Sequence, residues 1–208
     1  MSAPNGRILA IGAAAHAVYR ALVDALLAAG TLPDEEAVAR VTGLAVAEVR
    51  AALGALVAGD WAGRDEHGAI VALYPFSLVP TPVRVRLDQS ERYAMCAIDA
   101  LGVAPMLDRK VAITSVCPIC DAAIALTVGP GGVRTRLPEA VGIVYRRTVG
   151  PAHLSRCGAT RFFCSPDDAR TWLATHGGPD DLLLSPDEAF ARGREIFAGW
   201  YRAGRSGG

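Results

Sequence analysis

The sequence predicts an α+β fold in two parts: a winged-helix-like helical module over residues 1–82, then an α+β domain over residues 83–208 with a small, mostly antiparallel sheet. Three observations predict it. Helical spacing dominates the first sixty residues and gives way to one hairpin-like stretch. Pro75, Pro80 and Pro82 then punctuate the chain. Beyond them, short alternating segments are interleaved with two helix openings of the form Ser-Pro-Asp.

Taken in order, Val18, Leu22 and Leu26 recur every four residues in a first helix from about Ala14, and Gly30 is a natural stop. Asp34 opens a short second helix to about Val41, which Gly43 breaks, and Ala45 to Ala58 form a third. "WAGRDEHGAIVALY" reads as a hairpin turning at Asp65 to Gly68. Past the prolines, Val83 to Leu87 alternates like a strand. Asp88-Gln-Ser-Glu91 resembles a capping box for a helix carrying Cys96 and Asp99, ended by Gly102 and Pro105. Strands are expected at Val111 to Val116, Ala123 to Val128, Gly142 to Tyr145 and Thr160 to Phe163. Ser165-Pro166 and Ser185-Pro186, each followed by acidic residues, open the last two helices, and a Gly/Ser tail after Arg202 is expected to fray.

Composition narrows the function. The chain has 208 residues, 51% of them hydrophobic, enough for a sizeable core. Its 21 basic and 21 acidic side chains cancel, so no overall field attracts nucleic acid or an anionic membrane. The third helix carries one basic residue, Arg50, and residues 1–82 hold 5 basic against 8 acidic side chains, a poor surface for phosphates. No nucleic-acid partner is expected. No apolar run reaches the roughly 18 residues needed to cross a bilayer. Arg7, the apolar Ile8 to Ala15 and Ala15-His16-Ala17 echo a secretion signal, yet the run is mostly alanine and glycine and leads into the first helix. The expected location is the cytoplasm. "GPGG" at Gly129 to Gly132 precedes no helix and lacks a lysine, which removes nucleotide readings.

The cysteines carry the chemistry. Five of them, an odd number, argue for thiol or metal chemistry over a disulfide framework. Cys96 and Asp99, three apart on a helix, can act on one bound atom, and a carboxylate on an apolar helix is costly unless it is used; as a lone thiol Cys96 would be an ordinary core residue. Cys157 precedes a turn into a strand, beside Arg156. Cys117-Pro-Ile-Cys120 between two strands suits a structural zinc, with Cys164 the best third ligand and Asp167, Asp168 or a histidine the fourth; two reduced cysteines in a turn fit it as well.

"ERYAMCAIDALGVAPML" (Glu91 to Leu107), "RCGATRFFCSPDDARTWLATHGG" (Arg156 to Gly178) and "LLLSPDEAFARGREIF" (Leu182 to Phe197) together resemble the organomercurial (alkylmercury) lyase family. The resemblance extends over nearly the whole chain, although Gly158, Ala159 and Thr160 follow Cys157 where the family commonly has a polar residue, then histidine and valine. It implies protonolytic cleavage of a carbon–mercury bond, yielding a hydrocarbon and Hg(II) in mercury detoxification. Cys96 and Cys157 would be the mercury-binding thiolates, and Asp99 the proton carrier and a further mercury contact. It implies no cofactor for the reaction, external thiols to remove product, and a mercuric reductase as a partner receiving Hg(II). Alternatives are a divergent member acting on another substrate and a cysteine-based metal sensor with a DNA-binding winged helix.

Overall fold

A computed structural model describes residues 11–147 and 151–202. The first residues of the secretion-signal echo and the Gly/Ser tail lie outside them. Three helices come first: α1 (Gly12–Ala29), α2 (Glu35–Thr42) and α3 (Val46–Ala58). Their ends follow local chemistry. Asp34 accepts the Ala37 amide at 2.7 Å and opens α2, while Gly30 and Gly43 close α1 and α2 with φ of 79° and 73°, a left-handed turn that side chains disfavour.

Strands β1 (Ala62–Arg64) and β2 (Ile70–Leu73) form the expected hairpin, but not a free wing. They continue through β3 (Phe76–Ser77), β4 (Arg84–Leu87), β5 (Ser90–Ala94), β6 (Val111–Val116), β7 (Ala123–Gly129) and β8 (Gly132–Leu137) into one eight-stranded sheet. Its order is β1-β2-β3-β5-β4-β6-β7-β8 and its pairings are antiparallel. The sheet is larger than expected and runs without a break past residue 82, since Ser77 on β3 sits opposite Tyr93 on β5. A second, three-stranded antiparallel sheet joins β9 (Gly142–Tyr145), β10 (Arg161–Phe163) and β11 (Leu182–Leu184), in the order β10-β9-β11.

One expectation needs correction. The stretch Asp88 to Glu91 caps no helix; Ser90–Ala94 is strand β5, pairing with both β3 and β4. Helix α4 (Ala97–Leu107) starts at Cys96 instead, and runs through Gly102 and Pro105 rather than ending there. Ten of its eleven residues are buried. Behind it lies α7 (Pro186–Phe197), opened by a capping box in which the Ser185 amide donates to Glu188 at 2.8 Å. The two helices meet at glycines: a methyl on Gly193 would lie 2.7 Å from the Ile98 carbonyl oxygen, and one on Gly102 2.3 Å from the Phe197 ring. Only bare backbone permits that approach. Short α5 (Ala152–Ser155) packs against the turn that follows it, and α6 (Pro166–His176), capped by Ser165, packs on the second sheet.

Candidate active site

Cys96, Asp99 and Cys157 come together from two separate segments. Cys96 is the residue before α4, in extended conformation, so its carbonyl accepts the first helical hydrogen bond from Ala100 at 3.0 Å. Asp99 follows in the first turn. Cys157 lies on a short 3-10 turn (Cys157–Ala159) between α5 and β10. The Ala97 amide donates to the Thr160 carbonyl at 3.2 Å, which ties the two segments side by side. The ligand atoms of all three residues lie within 4.8 Å of one another, and each residue is at most 6% exposed.

The electrostatics follow from burial. Desolvation pushes the Asp99 carboxyl up from 3.8 to about 7, against the opposing effects of a hydrogen bond with the Cys96 thiol, the charge of Arg156 and a contact with Cys157 Sγ, 3.7 Å from Asp99 Oδ2. Burial also raises the Cys96 thiol well above its ordinary value, and hydrogen bonding with Cys157 and the Asp99 charge act the same way. The resting site therefore stores protons: the Cys96 thiol is kept neutral beside a carboxyl that titrates near neutrality.

A small cavity of about 40 Å³ opens onto this triad, lined further by Asp60, Trp61, Tyr74, Tyr145 and Arg156. On another side, Cys96 and Cys157, without Asp99, border a larger groove with Pro80, Met95, Ser115 and Pro118. The sulfurs thus face two spaces, and the carboxyl faces the smaller one.

Sequence reading missed two neighbours, Asp60 and Tyr74. Asp60, at φ 59° just after α3, accepts the Ala152 amide at 3.0 Å and lies 3.7 Å from Arg156, holding the segment before Cys157. Tyr74 places its hydroxyl 3.9 Å from Cys157 Sγ, and its carbonyl accepts the Tyr19 hydroxyl at 2.6 Å. Arg156 was noted as a neighbour of Cys157 in the chain; its charge bears on Asp99. No spacing links Asp60 or Tyr74 to the cysteines.

The other three cysteines gather elsewhere. Cys117, Cys120, Cys164 and Asp168 form a second cluster within the same 4.8 Å limit. Asp167 is turned away to Arg170 at 2.6 Å, so Asp168 is the acid that meets the thiols. Its Oδ2 lies 3.2 Å from Cys117 Sγ, 3.3 Å from Cys120 Sγ and 3.0 Å from Cys164 Sγ.

Comparison with known proteins places this geometry. The family model for alkylmercury lyase (MerB) matches residues 76–198, the stretch that contains both clusters. The chain belongs to the alkylmercury lyase family. An alkylmercury lyase of Staphylococcus epidermidis is 33% identical over 92% of this chain and 86% of its own length. One of Bacillus cereus is 33% identical over 85% and 79%. The solved structure described as the mercury-bound form of MerB2 shares the fold, with a TM-score of 0.79 over 95% of this chain and 96% of its own, at 19% identity. The expected α+β class and the resemblance to alkylmercury lyases are both borne out. Among the described residues no single helix is long and apolar enough to cross a membrane.

Proposed function

We propose that this member of the alkylmercury lyase family cleaves the carbon–mercury bond of small organomercurials, with Cys96 and Cys157 as mercury ligands and Asp99 as the proton carrier. The observation that carries the reading is the buried meeting of two thiols and one carboxyl on a small cavity. Mercury is soft, so sulfur is its natural ligand, and a second thiolate pushes electron density onto the metal and makes the bound carbon more basic.

The steps balance in protons. One thiol exchanges its proton for the organomercury cation, forming the first sulfur–mercury bond. As the second sulfur joins the metal, its proton passes to Asp99, 3.7 Å from Cys157 Sγ. Protonated Asp99 then delivers that proton to carbon. The carbon–mercury bond breaks, hydrocarbon leaves, and Hg(II) stays on two thiolates while Asp99 returns to its carboxylate. A carboxyl held near 7 suits both accepting and giving that proton at neutral pH.

No cofactor enters these steps. Small external thiols, or a mercuric reductase in the cytoplasm, would take Hg(II) from the pair by ligand exchange. Residues 1–82 would act as a cover for the site: Asp60, Trp61 and Tyr74 belong to its wall. A DNA-binding role for that module has little to stand on, because Arg50 of α3 is engaged by Glu35 at 2.5 Å.

The test is incubation with methylmercury or phenylmercury and excess small thiol, with methane or benzene measured. Release that is abolished in Cys96→Ser and in Cys157→Ser supports the assignment. Tight mercury binding without hydrocarbon release would move the protein to other chemistry on the same fold.

A further inference from the structure

From the second thiol cluster we infer that Cys117, Cys120, Cys164 and Asp168 form a tetrahedral zinc site that clamps the β6–β7 turn to the start of α6. The inference is independent of the lyase reading, which uses none of these residues.

Geometry supports it first. The three sulfurs converge on a single oxygen, Asp168 Oδ2, at 3.0 to 3.3 Å, and Cys120 Sγ lies 3.5 Å from Cys164 Sγ. Ligands about 2.3 Å (sulfur) and 2.1 Å (oxygen) from one zinc ion stand roughly 3.5–3.8 Å apart along the edges of a tetrahedron. The observed separations are close to those edges, with the carboxylate drawn slightly inward. Three thiols around one carboxylate oxygen also exceed what hydrogen bonding can use, since that oxygen offers about two lone-pair sites.

The backbone is folded to bring the sulfurs together. Cys117 is wholly buried at the end of β6, and its amide donates to the Ala122 carbonyl at 2.9 Å while its carbonyl accepts the Asp121 amide at 2.9 Å, folding the chain into a tight knuckle. Asp121 takes a φ of 57° to make that turn. Cys164 and Asp168 bracket the capping residue of α6, Ser165, whose hydroxyl accepts the Asp168 amide at 3.1 Å. Three thiolates and a carboxylate outweigh one divalent cation, so the assembled centre is net anionic, and it sits where the helix dipole favours negative charge. A thiolate-rich, four-ligand set with one hard oxygen and no open position suits zinc, which is borderline-soft and tetrahedral.

The clamp has a structural purpose. Cys164 directly follows β10, and β10 follows the turn that carries Cys157. The knuckle residues Pro118 and Asp121 line the larger groove that Cys96 and Cys157 border. Zinc would hold the far end of the Cys157 segment to the sheet on which the groove is built.

The full-length chain, purified reduced and without chelator, should carry about one zinc per molecule by elemental analysis. Cys120→Ser and Cys164→Ser should each lose most of it, and the Cys96→Ser/Cys157→Ser double variant should keep it. Cobalt(II) added to metal-free protein should give the intense visible and near-ultraviolet bands of tetrahedral thiolate cobalt, absent in Cys164→Ser. Cobalt titration of the unmodified chain decides the matter even if a variant fails to fold. Absence of zinc together with absence of those bands would overturn the inference. So would zinc that follows Cys96 and Cys157, or a Cys120–Cys164 disulfide in place of metal.

Discussion

Asp99 is the residue whose chemistry can be checked without any substrate. Its carboxyl is raised from 3.8 to about 7, chiefly by burial, so the folded protein holds that proton more tightly than the unfolded chain does. The associated stability is full below the unfolded value, is lost as pH rises towards 7, and becomes a constant penalty above it. At about 1.4 kcal/mol per unit the penalty is at most on the order of 4 kcal/mol. Asp99→Asn carries no titrating proton, so its stability relative to the parent should rise between pH 4 and 8 in denaturant titrations; a gap that does not change with pH would show that Asp99 is not held near neutrality. The same variant should bind mercury yet release no hydrocarbon, and unchanged turnover would reject the proton role. Cys96 and Asp99 were legible in the sequence because they are neighbours in the chain, and a carboxylate on an apolar helix asks for a use. Cys157 was legible through family resemblance. Asp60 and Tyr74 were not, because what brings them to Cys157 is tertiary packing around α1 and α5, which no local spacing records.

Among the elements, α4 and α7 set the position of the carboxyl. Their contact depends on Gly102 and Gly193, and a methyl at Gly193 would meet backbone atoms, the Ile98 carbonyl at 2.7 Å and the Gly102 amide at 2.8 Å. Backbone cannot swing aside as a side chain can. Gly193→Ala should therefore cost about 1–3 kcal/mol of stability, an overpacking penalty larger than any gain in helix propensity. Because α4 must move to relieve the clash, turnover on an organomercurial should fall as well. Thermal melting and hydrocarbon release check the two halves, and a variant with parental melting and rate would show that the helices can separate freely. Helix ends were the most legible features: Asp34, Ser165 and Ser185 cap where their side chains predict, and Gly30 and Gly43 stop where theirs do. The failure at Asp88 to Glu91 has a physical cause. A capping box is a local signal, whereas Ser90–Ala94 is fixed by pairing to β3 and β4 on both edges, a non-local gain that outweighs it.

At the scale of the whole molecule, the two ends of the described chain close on each other behind the site. Trp61 and Trp200 stack with ring centres 3.6 Å apart, Tyr19 of α1 meets Trp200 edge-on, and His16 Nε2 lies 2.6 Å from the Trp200 carbonyl across 184 positions of sequence. Both tryptophans are essentially inaccessible, and Trp61 also lines the cavity. Trp200→Ala should cost about 3–5 kcal/mol in denaturant titrations and weaken mercury capture, since Trp61 loses its stacking partner; a loss below about 1 kcal/mol would show that the stack is incidental. The sequence carried no sign of this closure, because each tryptophan is an ordinary apolar residue in its own segment. It also bears on how the protein is made. A ribosome releases the amino end first, at roughly 5–20 residues per second, but Tyr19 of α1 cannot meet Trp200 until the distant segment that carries it has been made. Until then Trp61, which lines the cavity, lacks its stacking partner, so the wall of the mercury pocket is completed only late in synthesis.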